Sequence, residues 1–65
     1  MEIKPGDILT IRVRNNTRTG IVTSAYNYGT DEDPNWYIEL DDYTYGATYW
    51  KQGIDGGEIV ENKEQ

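Results

Sequence analysis

The most acidic stretch of the chain, Asp31-Glu32-Asp33-Pro34-Asn35, has a residue spacing that could bind calcium. Oxygen ligands at alternating positions are typical of calcium-binding loops, and Asp42 falls at the twelfth position, where such loops place their last ligand. The sixth position, however, is Trp36 where these loops require glycine, and a strand-like pattern follows it rather than a helical one. We therefore predict a solvated acidic loop without a metal site.

The chain offers little for acid–base or nucleophilic catalysis. It contains no histidine and no cysteine, and Ser24 is its only serine, so no ordinary pair of nucleophile and base exists. The same absences remove the usual ligands of zinc. Asp41 and Asp42 are neighbours, so on a strand their carboxylates would point to opposite faces. We predict a non-enzymatic protein that uses no cofactor.

Aromatic rings and carboxylates are concentrated between Tyr28 and Trp50, where seven rings and six acids occur without a Lys, Arg or His. Several of these rings must lie at the surface, because a domain of 65 residues cannot enclose them all. Exposed tyrosines and tryptophans dominate binding hot spots, and carboxylates around them favour a basic partner. We expect a groove that binds a basic protein surface. Its predicted walls are Tyr28, Tyr37, Tyr43, Tyr45 or Trp50, and its predicted rim is Asp31, Glu32, Asp33, Asp41 and Asp42.

The net charge of −6 is unevenly distributed along the chain. Residues 8–30 carry three arginines and no acid, whereas residues 31–65 carry ten acids against two lysines. Arg12, Arg14 and Arg18, together with stacking tyrosines, suggest nucleic-acid binding as an alternative. Three arginines are few for a nucleic-acid footprint and the net charge opposes it, so neutralisation between neighbouring strands is the simpler interpretation.

The hydrophobic pattern that must position these residues has the period of two that is typical of β-strands. Leu9, Ile11 and Val13 alternate with polar residues, and Trp36, Ile38 and Leu40 do the same, which places Trp36 in the core. Further strands are predicted at residues 20–26, about 44–50 and 58–61, with a long polar loop at 27–35 and a single helical turn within 51–57. No window shows a helical stripe.

Five short strands of this kind suit a small closed barrel, because closure removes exposed sheet edges. We expect one domain over residues 1–61 and a frayed tail over 62–65. The segment Lys4-Pro5-Gly6-Asp7-Ile8-Leu9-Thr10-Ile11, followed by Gly20-Ile21-Val22, resembles the opening of SH3-like barrels of the KOW and Tudor type. The whole layout, with a tight turn before the last strand, is similar to small SH3-like proteins encoded by phages and mobile elements.

Three classes of function fit the aromatic and acidic surface: protein docking, recognition of cationic ligands, and the nucleic-acid binding considered above. The alternative is that the acids serve solubility alone. A phage-type accessory protein would dock on a basic site of a larger protein and could inhibit it by mimicking nucleic acid. A Tudor-like protein would cage methylated lysine or arginine with its rings. The nucleic-acid-binding members are expected to be basic, which this chain is not. No segment is typical of a signal peptide or a membrane span, so we expect a cytoplasmic protein. The sequence leaves self-association open.

Overall fold

A computed structural model describes residues 2–65, which form one antiparallel sheet of five strands with a short helix before the last strand. The elements are β1 (Ile8–Val13), β2 (Asn16–Asn27), β3 (Trp36–Asp42), β4 (Gly46–Lys51), α1 (Gln52–Asp55) and β5 (Glu58–Lys63). Across the sheet the strands are ordered β4, β3, β2, β1, β5. The predicted all-β class, the long loop and the helical turn are confirmed. No helix within residues 2–65 has the length and apolarity that a membrane span requires.

The long strand β2 divides the sheet into two halves. Its first half pairs with β1, and its second half pairs with β3. A bulge between Val22 and Ser24 interrupts the β2–β3 ladder and increases the local twist of the strand. Gly20 lies in both ladders, and a Cβ there would collide with the backbone of Asp41. Glycine is therefore required where the two halves of the sheet meet.

The core lies between the inward faces of the two halves. Val22 and Leu40 meet there as direct partners in the β2–β3 ladder. The buried residues of the core are Ile3, Leu9, Ile11, Val22, Trp36, Ile38, Leu40 and Trp50. The prediction that Trp36 is a core residue is confirmed. Trp50 was expected at the surface, but only 2% of it is exposed. It lies directly opposite Ile38 in the β3–β4 ladder and so shares its inward face, and its indole N–H donates to the carbonyl of Gly56 over 2.8 Å.

The sheet is not closed into a barrel by hydrogen bonds, which corrects the sequence-based expectation. Within residues 2–65 no ladder joins β4 to β5, so both are edge strands. The chain between them is taken up by α1 and by Gly56 and Gly57, which have φ of 74° and 97°. This segment crosses the open side of the sheet and leaves a groove beside β4.

A buried carboxylate joins the N-terminal segment to the last strand. Asp7 Oδ2 accepts hydrogen bonds from the Lys4 backbone N–H (3.1 Å) and the Asn62 side-chain amide (3.3 Å), and the Lys4 ammonium lies 3.4 Å from Oδ1. Burial by itself would raise the pKa of Asp7, but these hydrogen bonds and the nearby ammonium outweigh it and hold the pKa below its ordinary value. Strand β5 accordingly runs to Lys63, two residues beyond its predicted end.

Candidate functional site

Three tyrosines form a continuous aromatic surface, which we call the tyrosine face: Tyr26, Tyr28 and Tyr37. Tyr26 and Tyr37 are direct partners in the β2–β3 ladder, so their side chains lie on the same side of the sheet. The ring centroid of Tyr28 is 4.4 Å from that of Tyr26 and 4.4 Å from that of Tyr37, with tilted planes. Tyr26 and Tyr28 remain 59% and 63% exposed, so most of this ring surface faces solvent.

The loop after β2 is ordered by its own hydrogen bonds, and these fix the position of Tyr28. The Asn27 side-chain oxygen accepts from the backbone N–H groups of Gly29 (2.8 Å) and Asn35 (2.9 Å). The Tyr28 N–H donates to the Asn35 carbonyl over 2.9 Å, which closes the base of the loop. A Cβ at Gly29 would collide with the carbonyl of Asp33, so the turn requires glycine there.

The tip of this loop carries three carboxylates, which we call the acidic loop: Asp31, Glu32 and Asp33. All three residues are exposed, and none of the ion pairs formed within residues 2–65 involves them. Thr30 holds the tip in shape, because its N–H donates to the Asp33 carbonyl and its hydroxyl accepts from the Asp33 N–H. Across the described chain no three potential metal ligands converge. The tyrosine face is thus bordered by unneutralised negative charge.

One cation of the protein itself lies on the tyrosine face. Lys51 is the partner of Tyr37 in the β3–β4 ladder, and its ammonium is 5.6 Å from the centroid of the Tyr37 ring. This distance is within the range of a cation–π interaction. A shallow cavity of about 220 Å³ lies next to this pair, with Glu39 and Tyr49 in its lining. The surface therefore already accommodates a primary ammonium against an aromatic ring.

The other predicted groove residues lie elsewhere. Tyr43 and Tyr45 are 62% and 65% exposed in the turn after β3, at the opposite end of that strand from Tyr37. Asp42 is buried, and its Oδ1 accepts from the N–H groups of Thr44 (2.7 Å) and Tyr45 (2.9 Å), so it builds the turn instead of forming a rim. The structure thus brings Tyr28, Tyr37 and the acidic loop together but separates them from Tyr43, Tyr45 and the buried Trp50.

Asp41 lies apart from the tyrosine face, whereas Tyr26 belongs to it. Asp41 is exposed, but it lies opposite Ala47 in the β3–β4 ladder, away from the acidic loop. Tyr26 was not among the predicted site residues, although it is part of the tyrosine face. Its pairing with Tyr37 in the β2–β3 ladder places it there, and local sequence does not encode such a pairing.

The three arginines do not form one basic patch. Arg12 makes an ion pair with Glu58 across the β1–β5 ladder. Arg18 is the ladder partner of Ile11, the neighbour of Arg12, so Arg12 and Arg18 lie on opposite faces of the β1–β2 hairpin. The Arg18 guanidinium lies 4.2 Å from the ring centroid of Tyr45, and Arg14 lies in the turn with φ of 58°. A continuous track for a phosphate backbone is not formed by these residues.

No protein-family model matches the chain, and comparison with curated proteins and with solved structures found no significant match. A function for this chain is therefore inferred from its residues and their geometry. What they provide is an exposed aromatic surface, an adjacent acidic loop and a groove beside β4.

Proposed function

We propose that this chain is a non-enzymatic binding module whose tyrosine face docks on a basic surface of a larger protein. The observation that carries the proposal is the continuous packing of Tyr28 against both Tyr26 and Tyr37 next to three carboxylates with no cation paired to them. The rings supply contact area, and the acidic loop supplies charge of the sign that a basic partner requires.

The rings are expected to contribute mainly to the affinity of binding, and the acids mainly to the rate of encounter. A buried aromatic side chain removes about 150–250 Å² from water, so three rings can form the centre of an interface. Tyrosine loses little conformational entropy on binding, and these rings already restrain one another. Exposed carboxylates contribute less to affinity than to the rate of encounter, because their interactions are long-range and screened by salt.

The position of Lys51 supports a basic partner. Its ammonium against the Tyr37 ring shows the kind of contact that a lysine or arginine of the partner would make with the neighbouring rings. Tyr26 and Tyr28 have no such cation within residues 2–65. Two of the three rings are therefore open to a partner's cations.

A Tudor-like cage for a methylated cation is supported less well by this geometry. A cage needs several rings arranged around a space that the cation fills. In the tyrosine face the centroids are only 4.4 Å apart, so the rings pack on one another and leave no room between them. A continuous aromatic patch favours protein docking.

The strand order with a short helix before the last strand supports the further proposal that the fold is SH3-like. The small size, the acidity and the resemblance in the opening segment are the basis for proposing a cytoplasmic accessory protein of the phage or mobile-element type, with inhibition of its partner as the outcome of docking. Nucleic-acid binding is the weaker proposal, because Arg12 and Arg18 lie on opposite faces of their hairpin.

Photo-crosslinking from the tyrosine face tests this proposal. A photoreactive phenylalanine derivative replaces Tyr28 in the full chain, and a control carries it at Val60, which is 50% exposed on β5. Both are irradiated in nuclease-treated lysate of the host, and the adducts are identified by mass spectrometry. We expect one basic protein to be crosslinked from position 28 and not from position 60. Equal products from both positions, or products that disappear with nuclease, would contradict the proposal.

A further inference from the structure

The open side of the sheet contains a second surface, which we call the edge groove. It has a volume of about 390 Å³ and lies between the β1–β2 hairpin and β4 with α1. Ile11, Val13 and Trp50 form an apolar floor, and these are residues of the core or packed against it. Ile54, which is 70% exposed, lines the side nearest α1. Ile11 and Trp50 are each only 2% exposed, so a partner's apolar side chain would contact the exposed Ile54 and not this floor.

The edge of β4 along this groove has free backbone groups. The Lys51 N–H donates to the Asp55 carboxylate over 2.9 Å, so it points away from β3. In an antiparallel ladder alternate residues direct their N–H and C=O groups to the same side, which gives Ala47 and Tyr49 the orientation of Lys51. Over the described residues no strand pairs with β4 on this side. An exposed edge of this kind is a template for an added strand.

The wall opposite β4 is positively charged. Arg14 and Arg18 both line the edge groove, and neither takes part in an ion pair formed within residues 2–65. Arg18 is held in place by the ring of Tyr45. Among the described residues that line the groove, Asp55 is the only acid, and its carboxylate is already an acceptor for the Lys51 N–H. The groove is therefore a local positive site on a protein of net charge −6.

We propose that the edge groove binds an extended acidic peptide segment of a partner protein, which adds to β4 as a short strand. Its backbone pairs with Ala47 and Tyr49, its carboxylates interact with Arg14 and Arg18, and an apolar side chain lies against Ile54. A nucleic acid fits less well, because a phosphate at every nucleotide is repelled by the rest of the protein and makes no use of the free strand edge. This second site does not rest on the tyrosine face, so the two proposals stand or fall separately.

An NMR titration of the full chain tests this inference with defined probes. The first probe is a short peptide of alternating valine and glutamate, the second has lysine in place of glutamate, and the third is an oligothymidylate. We expect the first probe to shift the amide signals of Ala47, Tyr49 and Arg18, and to bind about tenfold more tightly than the lysine peptide, as loss of a charged interaction predicts. Equal binding of both peptides, shifts confined to other surfaces, or tighter binding of the oligothymidylate would overturn it.

Variants separate strand addition from non-specific attraction. Ala47→Pro removes an edge N–H, and Ile54→Asp puts a negative charge into the groove at an exposed position. These two variants and Arg18→Gln should each weaken binding of the glutamate peptide about tenfold. Tyr26→Ala, which lies outside the edge groove, should leave this binding unchanged. If Ala47→Pro does not fold, Ile54→Asp and Arg18→Gln still decide. Unchanged binding of the glutamate peptide by Ile54→Asp and by Arg18→Gln would overturn the proposal. Shifts of the Ala47 and Tyr49 amide signals on concentrating the protein without peptide would also overturn it, because they would show strand pairing between copies.

Discussion

The rings of Tyr28 and Tyr37 pack with their centroids 4.4 Å apart, although one lies in the loop after β2 and the other near the start of β3. Their proximity results from the β2–β3 register and from the hydrogen bonds that Asn27 makes to the loop backbone. The ladder and these hydrogen bonds thus hold the rings of the loop and of the sheet against one another. Binding through it requires little ordering of the protein, which reduces the entropic cost of association.

Truncation of the central ring should accelerate dissociation of the partner. Tyr28 contacts both other rings of the tyrosine face, so Tyr28→Ala removes the centre of the proposed interface. We expect dissociation to be faster by about thirtyfold, corresponding to about 2 kcal/mol for a hot-spot tyrosine. Surface plasmon resonance with the crosslinked partner measures it. Tyr43→Ala, an equally exposed tyrosine at the other end of β3, is the matched control and should change dissociation little.

Neutralising the acidic loop should slow association. The combined substitutions Asp31→Asn, Glu32→Gln and Asp33→Asn remove three exposed charges without shortening side chains. The association rate should fall, and its dependence on salt concentration should become weaker, because steering by long-range charge is lost. Stopped-flow association at several ionic strengths measures both. Glu61→Gln on β5 removes one charge at a distance from the loop, and an effect in proportion to this one charge, about a third of that of the triple change, would show that only the net charge matters.

The Asp7 carboxylate should make the stability of the fold depend on acid pH. The pKa of Asp7 is lowered in the folded protein from its ordinary value of 3.8. The ionised carboxylate therefore stabilises the fold fully at pH values above this ordinary pKa. This contribution is lost as the pH falls below that value towards the folded-state pKa. Asp7→Asn should therefore lower the thermal midpoint at neutral pH and make the midpoint less sensitive to pH below about 4. Calorimetry across this range checks the prediction, and parallel curves for both proteins would refute it.

Substitution of Gly20 should destabilise the sheet where β2 joins its two halves. A Cβ at this position would collide with the backbone of Asp41, and backbone atoms cannot move aside as a flexible side chain can. We expect Gly20→Ala to lower the free energy of unfolding by about 1–3 kcal/mol, the usual cost of overpacking. Urea denaturation measures the loss. Ser24→Ala, at an exposed position of the same strand, is the control and should lie within about 0.5 kcal/mol of the parent protein.

The strands could be predicted from the sequence because apolar and polar residues alternate along a half-buried strand, and this alternation is visible in a short stretch of sequence. The same pattern places Tyr49 and Trp50 on opposite faces without saying which is inward. The register of Trp50 with Ile38 decides this, and register is a relation between strands that local sequence does not encode. Asp42 was misplaced for a related reason, since a carboxylate that accepts two backbone N–H groups can be buried in a turn.

The local sequence pattern also could not show whether the sheet closes into a barrel. Whether β4 and β5 pair depends on the path of the residues between them, and α1 with the two glycines that follow it directs the chain across the gap. The acidic loop, in contrast, was located correctly from its polarity and its glycine and proline, which are local signals. The rings of the tyrosine face were only partly identified, because Tyr26 joins the other two through the β2–β3 ladder.

The most direct test of the docking surface is the binding kinetics of the crosslinked partner with three proteins: the parent chain, Tyr28→Ala, and the chain with the acidic loop neutralised. We expect the ring variant to change mainly the dissociation rate and the loop variant to change mainly the association rate, with a weaker salt dependence. Binding unchanged by both variants, in proteins with the parent's melting temperature, would show that the partner uses another surface.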